Sequence, residues 1–193
     1  MYISQINQGL KMNMTRALNR LVEFFEKEKI SYMIFGGLAT GIYGYERMTY
    51  DIDVKIIHEI TDDSLLKFIN KLKVIATIIP ETPIEFIHNT MVLPIEIDDV
   101  KADLVFTGLE YEIESVERAV QGELLGVKAK IISLEDLIVQ KSISERDKDW
   151  QDIKNLIEVN SKLDWNYLIE KVSMFSKILD KPEILDKIKR LKK

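Results

Sequence analysis

Cysteine is absent from the 193 residues, histidine occurs only twice, and no apolar run approaches 18 residues. Without cysteine there is no disulfide framework and no thiolate to act as nucleophile or ligand, which fits a cytoplasmic protein. His58 and His88 stand apart from each other and from the acidic motif described below, so the sequence supports neither a histidine metal site nor a His-based catalyst. No Ser–His–Asp arrangement can be built either. The lack of a long apolar run argues against a transmembrane helix. The first twenty residues have neither the apolar core nor the cleavage pattern of a secretory signal. Positive charge is also in deficit. Lys and Arg number 27 against 32 Asp and Glu, and the net charge of −5 provides no electrostatic footprint for non-specific nucleic-acid binding. What is present is the balance of an ordinary globular chain, with 46% hydrophobic and 31% charged residues. That composition opposes disorder, and the length allows one domain with a real core.

The informative stretch is residues 34–56. It reads as a short strand, a glycine pair (Gly36-Gly37), a small helix from Leu38 to about Tyr43, a turn, and a second strand beginning at Asp51. Side chains alternate along a strand. Ile52, Val54 and Ile56 therefore share a face that needs a core, while Asp51 and Asp53 share the other, with Cα atoms about 6.6 Å apart. Two carboxylates so close repel unless a cation lies between them. Oxygen ligands of this kind suit Mg²⁺ or Mn²⁺. Upstream, the glycines permit positive φ and close approach to the backbone. The helix that follows directs free N–H groups and a positive dipole end outward, which favours a phosphate.

Gly36-Gly37, then thirteen residues, then Asp51-Ile52-Asp53-Val54 resembles the signature of the DNA polymerase β-like nucleotidyltransferase superfamily. The inner pattern Gly44-x-x-Arg47-x-Thr49-x-Asp51-Ile52-Asp53 is similar to its small prokaryotic members, including toxin–antitoxin-associated proteins of the AbiEii type. The resemblance covers residues 30–107 well and 130–155 loosely. It implies an α+β fold: a mixed or antiparallel sheet flanked by helices, with residues 1–160 as the nucleotidyltransferase-like domain and 161–193 as a helical extension packed on it. It also implies a third carboxylate on a later strand. Asp103 in Ala102-Asp103-Leu104 is the best match, with Glu96 and Asp98 as competitors because the strand register is not fixed by sequence.

The remaining pattern is mostly structural. Met14, Leu18, Leu21, Val22 and Phe25 form the apolar face of a helix over about 12–28. Thr61 opens a helix whose buried stripe is Leu65, Leu66, Phe68, Ile69 and Leu72. Pro80 and Pro83 bracket an irregular stretch. Met91–Ile97 and Val100–Phe106 read as a hairpin turning at Asp98-Asp99, and a second hairpin turns at Gly126. Ser133 opens a helix to about Glu145, on which Leu134, Leu137, Ile138 and Lys141 share a stripe. Lys141 can snorkel to water or reach a triphosphate, and both readings stay open. Arg146, Asp149 and Asp152 read as a structural charge network. Further helices cover 152–159, about 163–175 and the segment after Pro182, whose basic end reads as a solvated helix terminus.

The expected activity is transfer of a nucleoside monophosphate from an NTP such as ATP to an unidentified acceptor, with release of pyrophosphate. Asp51, Asp53 and Asp103 are the expected catalytic and metal-binding residues, for Mg²⁺ or Mn²⁺. Gly36, Gly37, Arg47, Thr49 and Lys141 are the expected nucleotide-binding residues. RNA enters only as an acceptor, alongside protein side chains and small molecules. The rival reading is a non-catalytic protein of the same fold, acting through a protein partner as in toxin–antitoxin pairs. A sugar transferase using Asp-x-Asp is disfavoured by the upstream glycine pair.

Overall fold

Alternation along β-structure sends aspartates to one face and branched aliphatics to the other, and the architecture follows from how each face is covered. The computed structural model describes residues 2–44, 49–144 and 146–192. A long helix α1 (Tyr2–Glu28) leads into β1 (Ser31–Phe35), the short helix α2 (Gly36–Ile42) and β2 (Asp51–Ile57). Then come α3 (Asp62–Leu72), β3 (Thr77–Ile78), α4 (Pro83–Thr90) and the hairpin β4 (Val92–Ile97) and β5 (Val100–Phe106). The chain continues through α5 (Glu110–Glu117) and a second hairpin, β6 (Val120–Leu124) and β7 (Val127–Ile131). It ends with α6 (Leu134–Ser142), α7 (Asp147–Val159), α8 (Trp165–Ile178) and α9 (Pro182–Leu191). The fold is α+β, built on a seven-stranded mixed sheet in the order β3-β4-β5-β2-β1-β7-β6. The central strand β2 runs antiparallel to β1 and parallel to β5.

One face carries Tyr32, Ile34, Ile52, Val54, Ile56, Leu104 and Phe106, all buried. Helices α1 and α3 cover it through aromatic contacts. Phe25 stacks on Tyr32 with ring centroids 5.0 Å apart, while Phe68 meets Phe24 at 6.0 Å and Phe106 at 5.8 Å. Such edge and offset arrangements add to the area that the rings bury.

The opposite face carries Asp51, Asp53 and Lys55 on β2. Lys55 is buried and donates to Glu112 of α5 at 2.6 Å. The same carboxylate accepts from the Gly108 and Leu109 N–H groups, so α5 is fixed over this half of the sheet. Burial pushes Glu112 up, but Lys55 and the two N–H groups outweigh it and hold the carboxyl below its usual range.

Helix α6 begins at Ser133, whose hydroxyl oxygen accepts from the Asp136 N–H at 3.1 Å. Asp136 itself is fully buried and accepts four bonds: from Ser133 Oγ (2.6 Å), Tyr167 Oη (2.7 Å), Tyr111 Oη (3.0 Å) and Arg118 Nε (3.3 Å). Those donors come from α5 and its end, the α6 cap and α8. A buried carboxylate requires such saturation.

Both hairpins turn as expected, with two successive residues in the left-handed region: Asp98 and Asp99 at φ 51° and 63°, Leu125 and Gly126 at 52° and 83°. That geometry matches the strands' own twist. Other expectations need correction. Helix α1 starts at Tyr2 rather than near residue 12, because a helix can continue on backbone hydrogen bonds where no apolar stripe announces it. The stretch between Pro80 and Pro83 is irregular as expected, but Pro83 then opens α4, a helix not expected from the sequence, in whose first turn its missing N–H costs nothing. Leu66 is half exposed and lies off the buried stripe of α3.

Candidate active site

The register across three central strands builds the site. Asp53 lies directly beside Asp103 on β5 and beside Phe35 on β1, while Asp51 lies beside Lys101. Adjacent strands are about 4.8 Å apart, so Asp53 and Asp103 are nearest neighbours on one face. The competitors are elsewhere: Glu96 pairs with Lys101 one strand farther out, and Asp98 is held in the hairpin turn by Arg20 at 2.9 Å.

The glycine pair brings α2 onto these carboxylates. Gly36 adopts φ +65°, and a Cβ there would sit 1.9 Å from Asp53 Oδ2. A Cβ on Gly37 would sit 2.7 Å from Thr49 Oγ1. The space left by two missing side chains is therefore filled by Asp53 and Thr49. Thr49 donates to Asp51 Oδ1 at 2.6 Å and so orients that carboxylate. The Gly37 N–H bonds the Asp53 carboxyl, which means that part of the expected phosphate cradle already serves an aspartate.

Asp53 is pushed up to about 6, first by burial and then by the charges of Asp51 and Asp103, against the lowering effect of the Gly37 N–H and Arg146. Asp103 is also raised, by burial and then by Asp51, with Lys101 opposing. Among the described residues, none of the three aspartates takes part in an ion pair. Nor do any three acidic or imidazole groups there enclose a cation unaided. The aspartates form a row along two strands rather than a closed cage. An all-oxygen, electron-rich row of this kind fits a hard divalent ion whose shell is completed by ligand or water oxygens.

A pocket of about 250 Å³ opens over Asp51 and Asp53. Phe35, Gly36, Gly37, Thr49, Asp51 and Asp53 form one side, and residues of α6 and the start of α7 form the other. Lys141 is among them, but its amine does not snorkel. It is buried, donating to Asp152 Oδ2 at 2.6 Å and to Asp149 Oδ1 at 3.2 Å. Asp149 also accepts from Ser144 Oγ and from Arg146 Nε, each at 2.7 Å. Burial pushes Asp149 up, yet Ser144, Lys141 and Arg146 prevail and its carboxyl is lowered. Arg146 is thus both part of a charge network and a cation whose field reaches Asp53.

Arg47 and Tyr45 lie outside the described residues. Tyr43 is a packing strut, donating to the Ile132 carbonyl at 2.6 Å and accepting at its own carbonyl from Asn160. In the basic C-terminal helix, Lys187 lies over the Trp150 ring at 4.8 Å. Gln140, Arg146, Lys148 and Leu137 line the pocket, although the sequence alone does not assign them to it. The spacing Leu137, Gln140, Lys141 places those three on one side of a helix and is the available signal. Two larger hollows, about 350 and 390 Å³, flank α1 and α3. Two of their lysines, Lys71 and Lys67, are paired with Glu28 and Asp63.

A model of nucleotidyltransferases of unknown function, DUF6036, matches residues 12–186. The chain belongs to this nucleotidyltransferase family. The fold is shared with solved structures of low sequence identity. An antigenic nucleotidyltransferase-like protein from Paracoccidioides brasiliensis is 18% identical over 93% of each chain, with a TM-score of 0.54. The antibiotic-resistance factor ANT(2'')-Ia is 12% identical over 90% of this nucleotidyltransferase and 96% of that chain, with a TM-score of 0.59. The lincosamide antibiotic adenylyltransferase LnuA is 17% identical over 75% and 97%, with a TM-score of 0.50. No curated protein sequence matches this nucleotidyltransferase. Among its described residues, no helix is long and apolar enough to cross a membrane.

Proposed function

We propose that the chain transfers a nucleoside monophosphate from an NTP to an acceptor hydroxyl and releases pyrophosphate. The observation that carries this reading is the register that sets Asp103 beside Asp53, with Asp51 two residues away on the same face. In the reaction the acceptor oxygen bonds to the α-phosphorus, and the bond from that phosphorus to the bridging oxygen of pyrophosphate breaks. Asp51 and Asp53 would hold Mg²⁺ or Mn²⁺, with Asp103 as a further ligand, and such an ion would neutralise charge at the reacting phosphorus and align the attacking and leaving oxygens. Asp103 would help take up the acceptor's proton. Thr49 keeps Asp51 oriented. Gly36 and Gly37 leave the room that Asp53 and Thr49 occupy and so set the carboxylates against α2 at the pocket's edge. Arg146 and Lys148 supply positive charge on the opposite wall. Lys141, with two of its three donors committed to Asp149 and Asp152, holds that wall in place and keeps one donor for the nucleotide. Arg47 is a further cation assigned by sequence position.

The acceptor is an RNA, a protein side chain or a small molecule. The likeness to antibiotic adenylyltransferases supports the fold and does not choose among these. The AbiEii-type subdivision rests on the sequence pattern alone, and no observation favours a non-catalytic partner role over catalysis. Calorimetry of each NTP with Mg²⁺ or Mn²⁺ tests the reading, comparing wild type with Asp51→Asn/Asp53→Asn. Metal-dependent binding that disappears in the variant supports it. A well-folded wild type that binds no NTP with either ion overturns it.

A further inference from the structure

Gln140 carries a polar group that has no partner among the described residues. Its Nε2 is buried and makes no hydrogen bond, whereas buried amide donors are nearly always paired. The residue also borders the pocket that contains Gly36, Gly37, Asp53 and Arg146. On α6 it stands between Leu137 and Lys141, which line the same pocket. Lys141 is already tied to Asp149 and Asp152. The other buried atom of this kind, Asp98 Oδ2, belongs to a carboxylate whose second oxygen is held by Arg20.

The surroundings select the ligand group. Arg146 is anchored through Nε on Asp149, and Lys148 stands on the same wall of the pocket. The anionic part of a bound molecule is thus drawn to this wall, and a phosphate oxygen is the acceptor that an orphaned N–H matches best. We infer that Gln140 is a binding residue for the nucleotide's triphosphate, donating from Nε2 to a phosphate oxygen; this rests on the nucleotidyltransferase reading above. The contact counts on both sides of the equilibrium. Binding creates a charge-assisted hydrogen bond and at the same time relieves a donor left unpaired in the free protein.

The test is calorimetry of the full chain in Mg²⁺, with each NTP and with inorganic tripolyphosphate, for wild type, Gln140→Leu and Gln140→Glu. The Leu variant removes the unpaired donor at similar volume, so it should melt at or above the wild-type temperature. It should also bind both NTP and tripolyphosphate about 10- to 100-fold more weakly. A merely structural role predicts the reverse, with lower stability and unchanged affinity. Gln140→Glu keeps the size of the side chain and adds negative charge, so at neutral pH it should weaken both ligands at least as much. Wild-type affinity in either folded variant overturns the assignment, and so does a loss confined to NTP with tripolyphosphate unaffected. A wild type that binds no NTP overturns the nucleotidyltransferase reading, and this inference with it, whatever the variants do.

Discussion

Replacing Asp53 by asparagine should make the metal-free protein more stable. Asp53 is partly buried beside Asp51 and Asp103, and its pKa rises from 3.8 to about 6. At ~1.4 kcal/mol per pH unit, that rise means that the ionised carboxylate costs the fold about 2–3 kcal/mol at pH 8. The sign follows from proton binding. Between pH 3.8 and about 6 the native state holds a proton on Asp53 that the unfolded chain has released, so wild-type stability increases as pH falls through 6. The substituted amide has no charge to desolvate, and its oxygen can still accept from the Gly37 N–H. In EDTA at pH 8 the Asp53→Asn variant should therefore be about 2–3 kcal/mol more stable in urea unfolding, or roughly 4–10 °C higher in melting temperature for a chain of this size. The advantage should shrink towards zero by about pH 4. Added Mg²⁺ should narrow it at pH 8 by stabilising only the wild type, with proton release on binding near pH 6. A variant less stable than wild type at pH 8, or a difference that does not change with pH, would refute the reasoning.

Two further outcomes follow from the same geometry. Gly36→Ala places a methyl group 1.9 Å from Asp53 Oδ2 at φ +65°, so the carboxylate must move; metal-dependent NTP binding should drop at least 10-fold, with a stability loss of about 1–2 kcal/mol in denaturant, and a variant that binds and melts like wild type would contradict the close approach. Lys141→Met leaves Asp149 and Asp152 buried without the amine that both share; urea unfolding should show a loss of about 3–5 kcal/mol at pH 7 that lessens in acid as Asp149 protonates, and a neutral substitution would mean that the amine is not the structure's counter-charge.

What can be seen from sequence divides along physical lines. Alternation on β2 and the glycine pair are local, so the shared face of Asp51 and Asp53 is legible from spacing alone. The partnership of Asp53 with Asp103 depends on how two strands fifty residues apart align, which no single strand encodes. Lys141 is visible as a cation on an apolar stripe. Its destination is not, because Asp149 and Asp152 reach it across the break between α6 and α7. Arg146 reads as structural, and its hydrogen bond to Asp149 agrees, but only the tertiary arrangement brings its charge near Asp53. Gln140 gives only the signal of its spacing from Leu137 and Lys141, because a neutral polar residue has no chemistry of its own until a missing partner is noticed. Helix α4 is hidden by prolines that mark a helix start as readily as a loop.

The Asp136 cluster has a consequence for how the molecule is made. One of its four donors, Tyr167, belongs to α8, and α6, which carries Gln140 and Lys141, begins at the same carboxylate. A nascent chain that has left the ribosome only to residue 160 already contains every aspartate of the proposed catalytic row. It lacks the hydroxyl that contributes the second shortest of the Asp136 bonds, a deficit of about 1.5–3 kcal/mol for a charged acceptor. The pocket's far wall is thus fully braced only once α8 has emerged. Biosynthesis itself would delay a fully braced site until Tyr167 is available to Asp136.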